Sequence, residues 1–481
     1  MDNKKVRTRF APSPTGFMHL GGMRTALYSY LYAKKYGGDF ILRIEDTDQE
    51  RFVEGATEVI YSSLKEGGIS YDEGPDVGGD YGPYVQSERK EIYQKYARIL
   101  IEKGAAYYCF CTKERIAALK DGLGNVKYDK HCLSLTKEEI EKNLADGVPY
   151  VIRQNIPKEG VGEYDDMVFG HIAVDYSEME DNVLIKSDGM PTYNFANVVD
   201  DHLMGITHVI RGSEYLSSTP KYNLMYDAFG WERPVYIHLS PIMKDATRKL
   251  SKRYGDANFD DFVSKGYLPE AIMNYIALLG WCPKDNTEKM TVPEMVEKFS
   301  LDGVSKSPAI FDDVKLRWLN GEYLKEMSDE DFLTVAHPFI EKSKVYGKYD
   351  EKLIASLMKT RVEVLNEIPD KINFLEEFGE YDTELFFHKK MKTDKELAKT
   401  VLPLIRETLA SLKEFTHDPI HDALIALATE KGYKNGQILW TARVALTGKD
   451  VTPGGAVEMA EILGKERAIE RIDYSIALLN G

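Results

Sequence analysis

The sequence begins with a strand, a Pro/Gly-rich loop, a helix and a second strand, and this order constrains the fold most strongly. Residues 6–10 have strand character, and the loop Ala-Pro-Ser-Pro-Thr-Gly follows at 11–16. Apolar residues then recur with helical periodicity over 22–36, and two glycines at 37–38 precede a second strand at 39–43. Such a unit starts an open parallel sheet, whose ligands bind beyond the carboxyl ends of the strands.

Two further strands are predicted much later, at residues 205–210 and 235–239, with a helical stretch between them. The sheet is therefore interrupted by an insertion of mixed character. Beyond residue 325 the apolar residues follow helical spacing, as in 397–412 and 469–479. The sequence predicts an α/β protein whose parallel sheet carries an inserted α+β region and precedes an all-α region.

Composition restricts the class of protein and its partners. The chain has 481 residues, 43% of them hydrophobic, yet no apolar run approaches the ~18 residues of a membrane span, and no apolar leader precedes the first strand. Four cysteines are too few for a disulfide framework, so we expect a cytoplasmic protein with no membrane partner. Because the net charge is −16, any nucleic acid must bind at local basic surfaces.

Two segments have the chemistry of phosphate binding. His19-Leu20-Gly21-Gly22 stands where the first strand gives way to a helix, so an imidazole donor, glycines and free helix amides would face an anion. Lys249-Leu250-Ser251-Lys252-Arg253 follows the last predicted strand, and its lysines would neutralise a departing pyrophosphate. Taken alone, the first is more often a loop histidine before a capped helix, and the second is usually a solvated charge run. Together they predict a site for ATP with Mg²⁺.

This pair, HLGG followed by KLSKR, resembles the two signatures of class I aminoacyl-tRNA synthetases. Residues 9–16 with His19 are similar to the glutamyl-tRNA synthetase family in particular. Gly22 stands where the class-wide pattern has a second histidine, a departure that the glutamate branch shares. The resemblance continues through residues 43–48, 191–202 and 209–214 and covers nearly the whole chain.

The resemblance implies a Rossmann-type catalytic domain and an ATP-dependent ligase. Such an enzyme forms glutamyl-adenylate with release of pyrophosphate and then transfers glutamate to the 3′-terminal adenosine of tRNA(Glu), as a monomer. It implies five segments. The catalytic domain has two halves, 1–100 and 191–245, and the inserted acceptor-binding domain lies between them at 101–190. A stem-contact domain follows at 246–325, and a helical anticodon-binding domain at 326–481.

The amino acid pocket is predicted from charge and completed by resemblance. A γ-carboxylate held away from water needs a guanidinium fork, which Arg9 and Arg211 would supply, and Glu45 would hold the α-ammonium group. Taken singly, such residues are usually surface ion pairs or packing. The resemblance adds glutamate-binding residues Ala11, Ser13, Tyr193 and Asn197, and nucleotide-binding residues His19, Gly21, Gly22, Glu214, Lys249, Ser251 and Lys252.

Three of the cysteines predict a zinc site inside the insertion. Cys109, Cys111 and Cys132 supply three thiolates, whereas tetrahedral zinc takes four ligands. His131 is the usual partner but neighbours Cys132, while Tyr128 lies four residues earlier and would face the same side, so we favour Tyr128. Three thiols without a metal are the alternative.

Segments of the last third resemble the tRNA-binding parts of the family. Residues 307–312 and 315–320 resemble the stem-contact region, and 442–448 with Thr452 and Pro453 resemble the anticodon-reading stretch. Arg443 would read a base edge there, since single-stranded loops expose such edges. A helix-surface charge is the alternative reading of Arg443.

Four other functions remain open on the sequence. A smaller nucleotidyltransferase shares the histidine–glycine loop, and a non-enzymatic RNA-binding relative would have lost catalysis. A truncated relative that glutamylates a modified tRNA base shares the cysteine pattern but lacks the helical third. The glutaminyl enzyme differs in its first signature from residues 12–16.

Overall fold

The computed structural model describes residues 4–48, 50–51, 53–119, 127–250 and 258–481, so that Ser251 and Lys252 lie outside the described residues. The chain forms two compact units, Met1–Val263 with Pro269–Asp312 and Ser264–Leu268 with Asp313–Gly481. Among the described residues, no helix combines the length and the apolar character that crossing a membrane requires.

The first unit contains strands and helices in alternation. Its strands are β1 (Arg7–Phe10), β2 (Asp39–Leu42), β3 (Ala106–Cys109), β4 (Val151–Gln154), β5 (Val161–Asp166), β6 (Gly170–Asp175), β7 (Val183–Ile185), β8 (His208–Gly212), β9 (Val235–Leu239), β10 (Ile242–Met243) and β11 (Ala309–Ile310). Its helices are α1 (Leu20–Lys35), α2 (Ala56–Glu66), α3 (Lys90–Glu102), α4 (Lys113–Ala117), α5 (Lys137–Ala145), α6 (Tyr193–Leu203), α7 (Thr219–Phe229), α8 (Phe259–Ser264), α9 (Pro269–Leu278) and α10 (Val292–Lys298).

The predicted strand–loop–helix–strand unit at the N-terminus is confirmed. β1 pairs in parallel with β2, from Arg7 opposite Asp39 to Phe10 opposite Leu42. The helix between them starts two residues earlier than expected because the His19 side chain caps it by accepting from the Gly21 amide.

The later strands join this unit to form the main sheet. β8 and β9 pair in parallel, and the amide of Thr207, just before β8, donates to the Arg7 carbonyl of β1 at 3.0 Å. The strand predicted from residue 205 begins only at His208, because Gly205 adopts a φ of 65° in the turn after α6. Strands separated by nearly two hundred residues of sequence therefore lie side by side.

The insertion contributes to two sheets. β3, β4 and β7 form an antiparallel sheet of their own, as an α+β insertion predicts. The hairpin β5–β6, however, extends the main sheet, because β5 lies parallel to β9 with Asp166 opposite Tyr236. Hydrophobic periodicity gave no sign of this second arrangement, since strand pairing across the chain leaves no local pattern.

A buried ion network ties α6 to the first two strands. Arg43 is fully buried, and its guanidinium donates to Asp201 Oδ1 at 2.8 Å and to Glu45 Oε1 at 2.9 Å. Arg9 of β1 reaches the same aspartate through Nε at 3.1 Å and Nη2 at 3.3 Å. Burial raises the pKa of Asp201, but Arg9 and Arg43 outweigh it, so the net shift is downward and the carboxylate stays ionised.

The preceding residue of α6 makes a second buried cluster. Asp200 accepts from Arg89 Nε at 2.8 Å, from Gln86 Nε2 at 2.9 Å and from the Tyr93 hydroxyl at 2.7 Å. Tyr93 belongs to α3, whose apolar face packs on α6 in a core that includes Phe195. Two adjacent aspartates thus attach one helix both to the sheet and to α3.

The second unit is helical throughout its described elements, as expected. Its helices are α11 (Asp313–Glu326), α12 (Asp329–Ile340), α13 (Glu351–Met358), α14 (Ile368–Ile372), α15 (Lys395–Ser411), α16 (His417–Lys431), α17 (Asn435–Thr447) and α18 (Ala456–Asn480). α15 and α18 cover the two segments in which helical spacing was read, and Gly464 interrupts α18 with a φ of 73°. The five-domain division is finer than these two units and stays a prediction.

We expect Asp201→Asn to lower the free energy of unfolding by about 3 kcal/mol, because it leaves two buried guanidinium groups without their shared anion. The matched control is Asp227→Asn, which removes an exposed pair with Arg233, and we expect a change of at most about 1 kcal/mol. Urea midpoints of both variants, followed by circular dichroism, give the comparison. Equal shifts would contradict the role assigned to the network.

Candidate active site

One cleft of about 1310 Å³ lies at the carboxyl ends of β1, β8 and β9. The predicted site residues that line it are Arg9, Ala11, Ser13, His19, Gly21, Gly22, Glu45, Tyr193, Arg211, Glu214 and Lys249. Asn197 does not line it, and Ser251 and Lys252 lie outside the described residues. Because parallel strands end at a common edge, residues far apart in sequence are collected at one place.

His19 has a defined proton arrangement. Its Nδ1 accepts from the Gly21 amide at 3.0 Å, so a neutral ring carries its proton on Nε2. A Cβ at Gly21 would come within 3.3 Å of the His19 ring, and one at Gly22 within 3.3 Å of the Met18 sulfur. The two glycines therefore keep the helix start open for a ligand close to the backbone.

The described residues on either side of 251–257 have defined backbone contacts. Leu250 donates its amide to the Ile242 carbonyl at 3.1 Å, and Lys249 bridges to Met243. On the far side of the loop, the Phe259 amide donates to the Met18 carbonyl at 2.9 Å. The described residues on both sides of 251–257 are thus tied to β10 and to the turn that carries His19.

Glu45 is a buried carboxylate at the cleft wall. Its Oε1 accepts from Arg43 at 2.9 Å and from Gln86 at 3.5 Å. Burial raises its pKa above the ordinary value, although Arg43 and Arg9 act in the opposite direction. A ligand ammonium group at this position would favour the ionised form and gain an ion pair in a site of low dielectric.

The two predicted arginines differ in how their forks are used. Arg9 lines the cleft, but Asp201 occupies its Nε and Nη2, and Nη1 donates to the Ile210 carbonyl at 3.3 Å. These contacts use three of its five N–H groups, and the aspartate pairs its charge. The sequence suggested equal roles for Arg9 and Arg211, and this occupied fork separates them.

Arg211 is a buried cation. Among the residues that the structure describes, no carboxylate lies within 4 Å to form an ion pair with it, in contrast to the pair of Arg9 with Asp201. It donates from Nε to His238 Nε2 at 3.1 Å and from Nη2 to the Thr219 hydroxyl at 2.7 Å. The rings of Tyr215 and Tyr222 lie 5.0 and 4.9 Å from its guanidinium carbon and stabilise the charge. These two hydrogen bonds use two of its five N–H groups. The other three remain available to donate to an anionic ligand.

Tyr193 and Asn197 occupy successive turns at the start of α6. The Tyr193 ring lies 5.3 Å from that of Tyr215, beside Arg211 at the cleft. Asn197 is buried behind it and donates from Nδ2 to the Tyr193 carbonyl at 2.7 Å. Its side chain therefore contacts the backbone of the pocket, and direct contact with glutamate stays a prediction.

Glu214 lies just beyond the end of β8 and lines the cleft. Its carboxylate folds back over Gly212, since a Cβ built on Gly212 would lie 2.1 Å from Glu214 Oε2. A side chain at position 212 would therefore make the Glu214 carboxylate move from this place.

Three buried polar residues in or behind the cleft wall, Arg24, His238 and Asp201, escaped the sequence reasoning. Arg24 is buried in α1, where it donates to the carbonyls of Leu279 at 2.8 Å and Ser240, and burial lowers its pKa. His238 and Asp201 were likewise not identified as important. Their signal is a charged or polar residue inside an otherwise apolar element, which is costly unless it is paired.

The three cysteines meet in the insertion. The sulfur atoms of Cys109, Cys111 and Cys132 all lie within 4.8 Å of one another. The Tyr128 hydroxyl is 3.2 Å from the Cys109 sulfur and 3.5 Å from that of Cys111, whereas His131 is exposed and outside this group. Three sulfurs and one oxygen form a donor set that suits tetrahedral zinc.

A buried arginine supports this cluster. Arg153 donates from Nε to the Cys109 sulfur at 3.4 Å, and its guanidinium lies 4.2 Å from the centre of the Tyr128 ring. The hydrogen bond from Cys132, followed by those from Tyr128 and Arg153, lowers the pKa of Cys109 to about 4 despite burial. A thiolate is therefore available as a metal ligand at neutral pH.

In the second unit, Arg443 lies on α17 near the loop 448–455. Its Nη2 donates to the Asp450 carbonyl at 2.6 Å, and its guanidinium lies 4.3 Å from the Trp440 ring centre. The same loop carries Thr452, whose hydroxyl donates to the Gly454 carbonyl, and Pro453, whose carbonyl accepts from Arg361 at 2.8 Å. The predicted residues share one surface of this unit.

Comparison with known proteins gives consistent matches along the chain. The family model described as tRNA synthetases class I (E and Q), catalytic domain, matches residues 5–318, and an anticodon binding domain model matches 308–476. The glutamate–tRNA ligases of Clostridium botulinum strain Eklund 17B and Clostridium kluyveri are 58% and 57% identical, covering 100% and 99% of this chain and 100% and 98% of theirs. A crystal structure of a glutamate tRNA ligase from Elizabethkingia meningosepticum in complex with its amino acid matches with a TM-score of 0.88 at 38% identity, covering 98% of this chain and 99% of that one.

Proposed function

Because this chain belongs to the class I tRNA synthetases of the glutamate and glutamine group, we propose that the cleft is where it joins glutamate to tRNA. It is a glutamate–tRNA ligase, an ATP-dependent enzyme whose relatives match over its full length. The observation that carries the site assignment is that His19, Lys249 and Arg211 line one cleft. The matched anticodon domain and full-length relatives argue against a shorter nucleotidyltransferase, a truncated glutamylating enzyme or an RNA-binding remnant.

In the first step the α-carboxylate of glutamate attacks the α-phosphate of ATP. A phosphorus–oxygen bond forms, the bond to the β-phosphate bridging oxygen breaks, and pyrophosphate leaves. His19 Nε2 donates to a phosphate oxygen, and Lys249 and Lys252 neutralise the charge that develops on the leaving group. Mg²⁺ bound to the triphosphate would supply shielding of its negative charge. The hydrogen bond from the Gly21 amide to His19 Nδ1 keeps the proton of the ring on Nε2, from which it can be donated.

The amino acid is held by opposite charges at two ends. Arg211 binds the γ-carboxylate through its remaining donors, and Glu45 binds the α-ammonium group. Tyr193 forms the wall between them, while Arg9 keeps Asp201 and Arg43 in place. In the second step a ribose hydroxyl of the 3′-terminal adenosine attacks the acyl carbon, the ester forms and AMP leaves.

We expect the purified protein to charge tRNA(Glu) with labelled glutamate and to exchange pyrophosphate into ATP only when both glutamate and tRNA are present. Lys249→Ala and Lys252→Ala should each lower kcat about a hundredfold, because charge on the leaving group is no longer neutralised. Lys4→Ala, which removes an exposed pair with Glu232, serves as the control and should leave kcat unchanged. Near-normal turnover in a loop variant would remove that lysine from the mechanism.

We also propose that the cysteine cluster holds a structural zinc ion through Cys109, Cys111, Cys132 and Tyr128. The support is that the three sulfur atoms lie within 4.8 Å of one another, and that the Tyr128 hydroxyl lies close to two of them. Zinc would link β3 to the residues around 128–132 and so stiffen the end of the insertion.

Protein purified without chelator should contain about one zinc ion per chain, measured by elemental analysis. Tyr128→Phe should lose zinc to a mild chelator faster than wild type, whereas His131→Ala should retain it, because His131 lies outside the cluster. Zinc content near zero in the wild-type protein would end the proposal, and a greater loss in His131→Ala would reassign the fourth ligand.

Arg443, Thr452 and Pro453 are proposed to contact the anticodon loop. Arg443→Ala should raise the KM for tRNA about tenfold with little change in the KM for glutamate, because one base contact is lost. Arg406→Ala on α15, which removes an exposed pair with Asp473, is the matched control. An unchanged KM for tRNA in Arg443→Ala would reject the assignment.

The proposal includes tRNA(Glu) as the nucleic acid substrate, a monomeric state and a cytoplasmic location. None of the four cysteines forms a disulfide, in keeping with a reducing compartment. Charging assays with purified tRNA(Glu) and tRNA(Gln) in parallel define the range of accepted tRNAs.

A further inference from the structure

A row of three polar residues crosses the main sheet beneath the cleft. Asp166 ends β5, His238 lies in β9 and Arg211 lies in β8, where it stands directly opposite His238 in the strand register. His238 Nδ1 lies 2.7 Å from Asp166 Oδ2, and Arg211 Nε donates to His238 Nε2 at 3.1 Å. The side chains of Asp166 and His238 have no solvent exposure. The row therefore runs from the inserted hairpin to the pocket.

The hydrogen bonds at Asp166 define which nitrogen of His238 carries the proton. The carboxylate accepts the backbone amide of His238 at 3.1 Å and those of Val168 and Phe169 at 2.9 and 2.8 Å. Its Oδ2 then accepts the Nδ1–H of the imidazole as well. With the proton on Nδ1, the lone pair of Nε2 faces Arg211 and accepts its Nε–H. Burial lowers the pKa of His238, which keeps the ring neutral.

His238 is a neutral hydrogen-bond acceptor, so it orients Arg211 without neutralising its charge as a carboxylate would. Arg9 is held directly by Asp201, which uses two of its nitrogens and pairs its charge. Arg211 is held instead through an imidazole, so its Nε is fixed in direction while its positive charge has no adjacent carboxylate among the described side chains. The Thr219 hydroxyl holds Nη2 in the same way, as a neutral partner.

We propose that Asp166 and His238 are positioning residues, which orient the Arg211 guanidinium toward the γ-carboxylate of glutamate and so set the preference for glutamate over glutamine. A fixed fork places two parallel N–H donors of Arg211 opposite the two carboxylate oxygens of glutamate. In glutamine one of these oxygens is replaced by an NH₂ group, which is itself a donor and would face an N–H of Arg211 without forming a hydrogen bond. The inference rests on the proposed function, in which Arg211 binds this carboxylate.

The test compares variants in which the row is broken at different points. His238→Phe removes both ring nitrogens, His238→Gln returns an acceptor to Arg211, and Asp166→Asn removes the charge that holds the tautomer. The controls are Asp165→Asn and His171→Gln on the same hairpin, where the two side chains are exposed and 3.2 Å apart. Each variant is assayed for the KM of glutamate, the KM of ATP, kcat, and the ratio of glutamate to glutamine activation.

We expect His238→Phe to raise the KM for glutamate about tenfold and to reduce the preference over glutamine, with the KM for ATP unchanged. His238→Gln should recover part of the loss, Asp166→Asn should show a smaller effect in the same direction, and both controls should match wild type. An equal rise in both KM values, or no change in folded His238→Phe and Asp166→Asn, would overturn the inference. If His238→Phe does not fold, the other two variants decide the result.

Arg211→Lys separates this inference from the proposed function. If Arg211→Lys leaves the KM for glutamate unchanged, the role of Arg211 itself is wrong. If it raises that KM while the His238 and Asp166 variants do not, Arg211 binds glutamate but the row behind it has no positioning role.

Discussion

The catalytic unit depends on the sharing of Asp201 between Arg9 and Arg43. Two buried guanidinium groups share one anion, and this sharing holds α6 against the ends of β1 and β2. That placement brings Tyr193 to the cleft and holds Arg43 where it can donate to Glu45. The wall of the cleft is thus built on a buried network of paired charges behind Tyr193 and Glu45.

Arg9 and Arg211 illustrate how environment divides the work of identical side chains. Both are buried, both line the cleft and both lie near the carboxyl ends of parallel strands. An aspartate pairs the charge of the first, whereas a histidine, a threonine and aromatic rings hold the second and leave its charge for a ligand. In the proposed function, the chemistry of the partner therefore decides which arginine binds the substrate carboxylate.

Local pattern in the sequence was sufficient for some parts of the fold. The β1–α1–β2 unit follows from periodicity and from Gly37 and Gly38, and the collection of site residues follows from the common edge of parallel strands. Long-range pairing was not predictable: neither the addition of β5 to the main sheet nor the occupied fork of Arg9 leaves a local trace. Spacing favoured Tyr128 over His131 beside the cysteines, and in the structure the Tyr128 hydroxyl lies 3.2 Å from the Cys109 sulfur while His131 is outside the group.

The position of β1 between β2 and β8 has a consequence for synthesis on the ribosome. β1 is translated before both of its neighbours, and the second neighbour follows only after the whole insertion has been made. At elongation rates of about 5–20 residues per second, Arg9 is made roughly 10 to 40 seconds before Asp201. During that interval the nascent chain carries an incomplete sheet. The strands β3, β4 and β7 of the insertion have all their partners by then, whereas the β5–β6 hairpin gains its place in the main sheet only when β9 follows.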